Sequence, residues 1–260
     1  MKRLTIGLLA AVPLCVTPFA SAAQETIHPT YLIRQEFVKP AEMDAYETET
    51  IRWLDDLAES AAAEDLQWVS VYGPELGYSY IIPIQGLAGF DRARSIIGMT
   101  RADAHARWAK SDGPTPVEHV EQSVIELRPE LSYLPRTVAL NLDLPFRKYH
   151  WYHVIPGLEA DFEGIATQIV DLFGGAGIEH GYRIYAYVIG ADMPLYVMVE
   201  RASDEADYAS RTARIRETVG DRADALFGRL LQFARRVDVM EGSVRGELSF
   251  PAMGEGPPVP

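Results

Sequence analysis

The sequence predicts an α+β protein in which one βαββα unit is written twice. Three observations carry this. The hexapeptide "RPELSY" at Arg128–Tyr133 returns as "RGELSF" at Arg245–Phe250. Each hexapeptide closes a stretch with the same order: strand, helix, hairpin, helices, short terminal strand. Landmarks in the two stretches keep a nearly constant offset: Pro40 with Pro156, Tyr46-Glu47 with Phe162-Glu163, Tyr80 with Tyr196, Asp91 with Asp207. A fixed offset held over several elements marks an internal repeat.

In the first copy (residues 28–135), "TYLIRQEFV" at Thr30–Val38 is rich in β-formers and reads as a strand. Pro40 opens a helix at a position that tolerates proline. Met43, Tyr46, Trp53, Leu54, Leu57 and Ala61 give that helix one apolar face. "WVSVY" (Trp68–Tyr72) and "YSYIIPI" (Tyr78–Ile84) read as a hairpin around the Gly73–Gly77 turn. Helices are expected over Asp91–Ile97, from Thr100 onward with the Thr100 hydroxyl as cap, and over Pro116–Leu127. In the second copy (residues 148–250), "KYHWYHV" at Lys148–Val154 is the opening strand. A helix follows with Leu158, Phe162, Ile165, Ile169 and Leu172 on one face, stopped by "GGAG" at Gly174–Gly177. Tyr182–Ile189 and Pro194–Glu200 form a hairpin, and helices are expected over Ser203–Val219 and Asp221–Met240. The link at 136–147 holds Val138, Leu140, Leu142 and Leu144 in alternation with other residues, which suits an extra edge strand. The tail at 251–260 is expected to be disordered.

A βαββα unit occurring twice resembles the dimeric α+β barrel superfamily, whose units are ferredoxin-like. The resemblance covers nearly all of Thr30–Phe250 and rests on element order and repeat length. It implies two fused ferredoxin-like units with antiparallel sheets facing each other in a barrel-like arrangement. It also implies a wide choice of chemistry, because the superfamily includes cofactor-free oxygenases, isomerases, haem-handling proteins and proteins without activity.

The chain begins with Lys2 and Arg3, an apolar run from Leu4 to about Phe19, and the small residues Ala20–Ala22. Residues 1–22 therefore read as a secretory signal peptide cleaved near Ala22, which places the mature protein in the periplasm or outside the cell. Cys15 is the single cysteine and leaves with the signal. The mature chain then has no disulfide, thiolate metal site or cysteine nucleophile. With 37 acidic and 24 basic residues the formal charge is −13. No basic stripe offsets it, so nucleic acid is not an expected partner. No later apolar run has membrane length, so no membrane span is expected in the mature form. The long helices leave a homodimer open.

Strand parity sorts the opening strands. Leu32, Arg34, Glu36 and Val38 share a face, matched by Lys148, His150, Tyr152 and Val154. This more polar face is expected to look into the space between the sheets, where Arg34, Glu36, His150 and Tyr152 would converge as a catalytic group. An imidazole beside a carboxylate or phenol relays protons near neutral pH, and an Arg holds an anionic group. A structural ion pair between Arg34 and Glu36 explains the same residues more plainly. Trp68, Tyr72, Tyr80 and Tyr196 fall on strands and would line a ligand cavity or pack a sheet interface. His150 and His153 point to opposite faces of one strand, so no metal site is assigned. No dinucleotide fingerprint, P-loop or nucleophile elbow occurs, and no cofactor is assigned. The leading reading is an exported protein that binds a small, partly apolar ligand between its sheets. A cofactor-independent oxygenase or isomerase, and a non-catalytic interaction module, are the alternatives.

Overall fold

The computed structural model describes residues 29–60, 64, 66–110, 116–135 and 144–251, with the backbone alone for 99–110. The expected signal peptide, the alternating residues Val138–Leu142 and the tail from residue 252 lie outside these residues. The first half contains β1 (Thr30–Val38), α1 (Met43–Ala58), β2 (Val69–Gly73), β3 (Gly77–Ile84), α2 (Gly86–Lys110) and β4 (Val117–Leu127). The second half repeats the order: β5 (Phe146–Val154), α3 (Glu159–Gly175), β6 (Tyr182–Ile189), β7 (Leu195–Ala202), α4 (Glu205–Leu231) and β8 (Ala234–Val244).

All pairings are antiparallel, and the eight strands close into a barrel in the order β1-β3-β2-β8-β5-β7-β6-β4. Each half thus contributes its strands in the order last-first-third-second. The halves join where β2 meets β8 and where β4 meets β6. Closure leaves no strand edge open among the described residues.

Three apolar clusters fill the molecule. Between the first-half sheet and its helices lie Leu32, Tyr46, Trp53, Leu57, Tyr78 and Ile82. The equivalent layer in the second half holds Val154, Phe162, Ile165, Ile169, Tyr196 and Leu230. The barrel interior holds Tyr31, Ile33, Ile125, Tyr185, Tyr187 and Val197. The helices form where their buried residues recur at helical spacing, as Tyr46, Glu49, Thr50, Trp53, Leu54 and Leu57 do in α1. The end of α3 is set by Gly177, whose φ of 64° suits the left-handed turn; the Ile178 N–H closes it on the Phe173 carbonyl. At the start of α4 the Asp204 side chain accepts from the Asp207 N–H at 2.7 Å.

Several expectations change. The segment Pro116–Leu127 is not helical: Val117–Leu127 is strand β4, paired with β1 along its length. Likewise α4 ends at Leu231, and Ala234–Met240 lies in strand β8 rather than in a helix. Each half is therefore βαββαβ. Helix α2 runs unbroken through Thr100, so that residue starts no new helix. Strand β5 opens at Phe146, two residues before the expected start of the second copy.

The shared hexapeptides form short 3-10 turns, Pro129–Leu131 and Gly246–Leu248, and each reaches into the other half. The Arg128 guanidinium donates to Glu163 of α3 at 2.7 Å, and the Ser132 hydroxyl accepts from the Ile184 N–H. Reciprocally, Arg245 donates to both oxygens of Glu47 in α1 at 2.8 and 2.7 Å, and Ser249 accepts from the Ser70 N–H. Tyr133 bridges to Tyr182 and Phe250 to Trp68. The sequence repeats itself because the same clasp is needed at both joints.

Candidate functional site

Register defines which residues of the two halves correspond. Arg34 pairs with Tyr80 in the first half, and His150 pairs with Met198 in the second. One step along, Leu32 pairs with Ile82 and Lys148 with Glu200. Glu36 pairs with Tyr78, and Tyr152 with Tyr196. Tyr196 therefore answers to Tyr78, not to Tyr80 as the sequence offset suggested. Both phenols do the same work: Tyr78 donates to Glu47 at 2.5 Å and Tyr196 to Glu163 at 2.6 Å.

The face holding Arg34, Glu36, His150 and Tyr152 does not look into the space between the sheets. It faces the helices, since Leu32 and Val154 of the same faces pack in the helix-covered layers. The two pairs lie on β1 and β5, across the barrel from one another, and do not converge. The barrel interior is instead lined by the opposite faces, with Ile33, Tyr149 and Trp151. His153 lies there too, 3.0 Å from the Asp238 carboxylate, so the two histidines do take opposite faces. Among the described residues no three His, Cys, Asp or Glu side chains group as metal ligands.

In the first half the described residues of this layer pack closely. Arg34 pairs with the fully buried Glu36 at 2.6 Å, the plainer of the two sequence readings. The Tyr46 hydroxyl bonds Glu36 and Tyr80, each at 2.6 Å. Trp53 and Trp68 stack at 5.5 Å, and Phe250 stacks on Trp68 at 5.2 Å. The space bordered by Arg34, Trp53, Trp68 and Tyr80 is about 10 Å³. Tyr72 donates to Met43 Sδ at 3.7 Å. Of the four expected ligand-binding aromatics, Trp68 and Tyr80 border the small space, and neither they nor Tyr72 and Tyr196 line the larger cavity of the second half.

The second half differs at the corresponding positions. Tyr182, the bridge partner of Tyr133, stands where Trp68 stands beside Phe250. Met198 stands in place of Tyr80, and His150 in place of Arg34. A cavity of about 320 Å³ opens between β5-β7-β6 and α4, lined on the sheet side by His150, Tyr152, Tyr182, Met198 and Glu200. From the helices come Phe173, Tyr208, Thr212, Ile215, Ala223 and Phe227. Leu231, half exposed, stands on its wall. The size and the mixture suit a small-molecule site, mostly apolar with a few polar groups gathered at one place.

Exposed Thr212, Arg216 and Asp224 also line the cavity; the polar group on the sheet side is His150, Glu200 and Tyr152, joined by Tyr208 from α4. Glu200 Oε2 accepts from the Tyr208 hydroxyl at 3.1 Å. It also lies 3.2 Å from His150 Nε2, but off the hydrogen-bonding direction, and this buried nitrogen makes no hydrogen bond. Burial, then the Glu200 carboxylate, pushes the phenols of Tyr152 and Tyr208 well above their ordinary value. Tyr182 is raised by burial, then by Tyr152 and Glu200. All three remain protonated hydrogen-bond donors at neutral pH. His150 and Tyr152 both line this cavity, while Arg34 and Glu36 lie on β1 across the barrel. Glu200 and Tyr208 were not singled out from sequence. Pairing "KYHWYHV" with "PLYVMVE" as antiparallel neighbours, with Lys148 opposite Glu200, would have placed Glu200 on the face of His150.

No family model and no curated protein sequence matches the chain. Solved structures do. A protein described as anthrone oxidase-like aligns at TM-score 0.56 and 9% identity, over 85% of this chain and 92% of its own. A candidate monooxygenase from Lactobacillus acidophilus NCFM aligns at TM-score 0.52 and 10% identity, over 84% and 94%. A chlorite dismutase variant from Candidatus Nitrospira defluvii aligns at TM-score 0.52 and 8% identity, over 85% and 92%. At these identities the likeness establishes the fold, an eight-stranded antiparallel barrel with helices outside it, and nothing finer.

Proposed function

We propose that the protein binds a small, largely apolar molecule with one polar group in the second-half cavity, and that His150 exchanges a proton with it. The observation that carries this is the unpartnered His150 Nε2 beside Glu200 on the wall of a 320 Å³ space. An unpaired buried nitrogen is costly unless a ligand completes it. A carboxylate next to an imidazole stabilises the imidazolium that forms when the ring takes a proton. Tyr152 and Tyr182 would donate hydrogen bonds to the oxygen on which negative charge gathers. The proton leaves an acidic C–H, and its electron pair stays on the bound molecule as an enolate. Returning the proton at another carbon is isomerisation. Passing the electrons to O₂ is oxygenation without a cofactor. Similarity to an anthrone oxidase-like protein and to a candidate monooxygenase supports the second outcome.

The ligand site therefore lies between sheet and helices, not between the sheets as the sequence suggested. A non-catalytic interaction module is the weaker reading, since a cavity with an unsatisfied imidazole serves no purpose in it. We also read the two halves as fused ferredoxin-like units, a reading supported by their identical strand order. Because the barrel closes within one chain, a homodimer would use the outer helix faces. No helix among the described residues is long and apolar enough to cross a membrane. Export to the periplasm or beyond rests on residues 1–22, and N-terminal sequencing of the protein from that compartment tests it.

Anthrone, a flat ketone with an acidic methylene, is a suitable probe. In D₂O the protein should speed deuterium entry at that methylene, and His150→Gln should abolish the effect while leaving the melting temperature within a few degrees. Oxygen uptake in the same mixture separates oxygenase from isomerase. Exchange that survives in His150→Gln would remove the proposed role.

A further inference from the structure

The mouth of the barrel carries a feature that the cavity does not use. Arg147 and Arg201 stand directly opposite each other on β5 and β7, and Arg183 pairs with Val199, one inward-facing position from Arg201. All three share the inward faces of their strands with Tyr149, Val199 and Tyr185. Like charges placed directly opposite in a sheet repel. Arg147 is only 7% exposed, and Arg183 and Arg201 are half-buried. Arg147 spends its Nη1 on the carbonyls of Leu144 and Phe146. Buried Nη1 of Arg183 has no partner.

Among the described residues no carboxylate is placed against this cluster. Burial pulls Arg201 well below arginine's ordinary value, and the guanidiniums of Arg147 and Arg183 pull it further. Burial likewise lowers Arg147; the opposing influences are only the phenols of Tyr149 and Tyr185. Cationic clusters withdrawn from water without a partner are costly. Here the opposed guanidiniums and the buried, unpartnered Arg183 Nη1 point to a partner from solution.

We propose that Arg147, Arg183 and Arg201 form a site for a tetrahedral oxyanion, a phosphate group free or in a small ester, at the mouth of the barrel. A guanidinium fork matches two oxygens of such an ion. A planar carboxylate carries one charge, whereas a phosphate dianion carries two and has acceptor oxygens enough for three forks. The lumen of an eight-stranded barrel admits side chains or one small ligand, which excludes an acidic polypeptide. The phenols of Tyr31 and Tyr185, whose rings meet edge-on at 5.9 Å, stand nearby as further donors. The site lies on the opposite face of β7 from Glu200 and is independent of the cavity.

The test is calorimetric titration of the full chain with inorganic phosphate, sulfate and glycerol 3-phosphate, at ionic strength matched with chloride. Wild type should bind one phosphate per chain saturably. Arg201→Met and Arg183→Gln should each bind at least about tenfold more weakly, the loss of one charge-assisted contact. Without phosphate, Arg201→Met should melt no lower than wild type, since a repulsion has been removed. If Arg201→Met does not fold, Arg183→Gln decides. Tighter binding of glycerol 3-phosphate than of phosphate would assign the site to an ester, and the reverse to the free ion. No saturable binding, or equal binding by wild type and variants, would overturn the proposal.

Discussion

Substituting Ala223→Leu tests the cavity itself. Ala223 is 5% exposed, sits on α4 and lines the 320 Å³ space. The change adds three carbons and hardly alters helix propensity. Burying each is worth about 0.8 kcal/mol, so a site with room gains up to about 2 kcal/mol. A chain of this size shifts its melting temperature by roughly 2–4 °C per kcal/mol, which gives a rise of up to about 8 °C. In a filled site the same change overpacks and costs about 1–3 kcal/mol. The sign of the shift therefore reports on the space. Thermal and urea unfolding of ligand-free protein, with anthrone binding measured in parallel, is the assay. Stability should rise while binding falls. A fall in stability would refute the reasoning, because it would show no room beside Ala223.

Three further outcomes follow from the clasps and the closely packed first half. Arg245→Met should cost about 1–2 kcal/mol by denaturant unfolding, the strength of a charge-assisted pair discounted for partial exposure, and should add to Arg128→Met because the joints are far apart. Burial raises the Glu47 and Glu163 carboxyls, but hydrogen bonds from Arg245 with Tyr78, and from Arg128 with Tyr196, outweigh it and hold both below their ordinary value. Their stabilisation is present above the unfolded value of 4.5 and is lost as pH falls through the lower folded value, so unfolding titrations should show acid-side loss that shrinks in the Arg245→Met and Arg128→Met variants. Tyr46→Phe, which installs the residue found at the equivalent Phe162, should cost about 1–3 kcal/mol, since it strips a donor from buried Glu36.

The sequence disclosed the duplication because both joints need the same Arg-x-Glu-Leu-Ser clasp. It disclosed the opening strands and hairpins because their β-branched and aromatic runs are bounded by Gly and Pro. The closing strands were misread for a physical reason. Val117, Val120, Val124 and Leu127 recur at helical spacing, yet Val120 is 41% exposed and only the far end of β4 is buried. What makes it a strand is pairing with β1 and β6, which are distant in sequence. The polar face of β1 and β5 turns to the helices because polarity on a strand does not by itself mark the lumen. Glu36 instead satisfies itself with Arg34 and Tyr46 under the helices, while the lumen takes aromatics and arginines. The cavity was invisible in sequence, since it arises from what replaces Trp68 and Tyr80 in the second half.

The central claim is a small-molecule site in the second half, between β5-β7-β6 and α4. Native mass spectrometry of the chain with anthrone and related hydroxyaromatic ketones counts bound molecules directly. The account predicts one molecule per chain, lost in Ala223→Leu and retained in Tyr80→Phe. No bound molecule across the panel, two per chain, or binding indifferent to Ala223→Leu would contradict it.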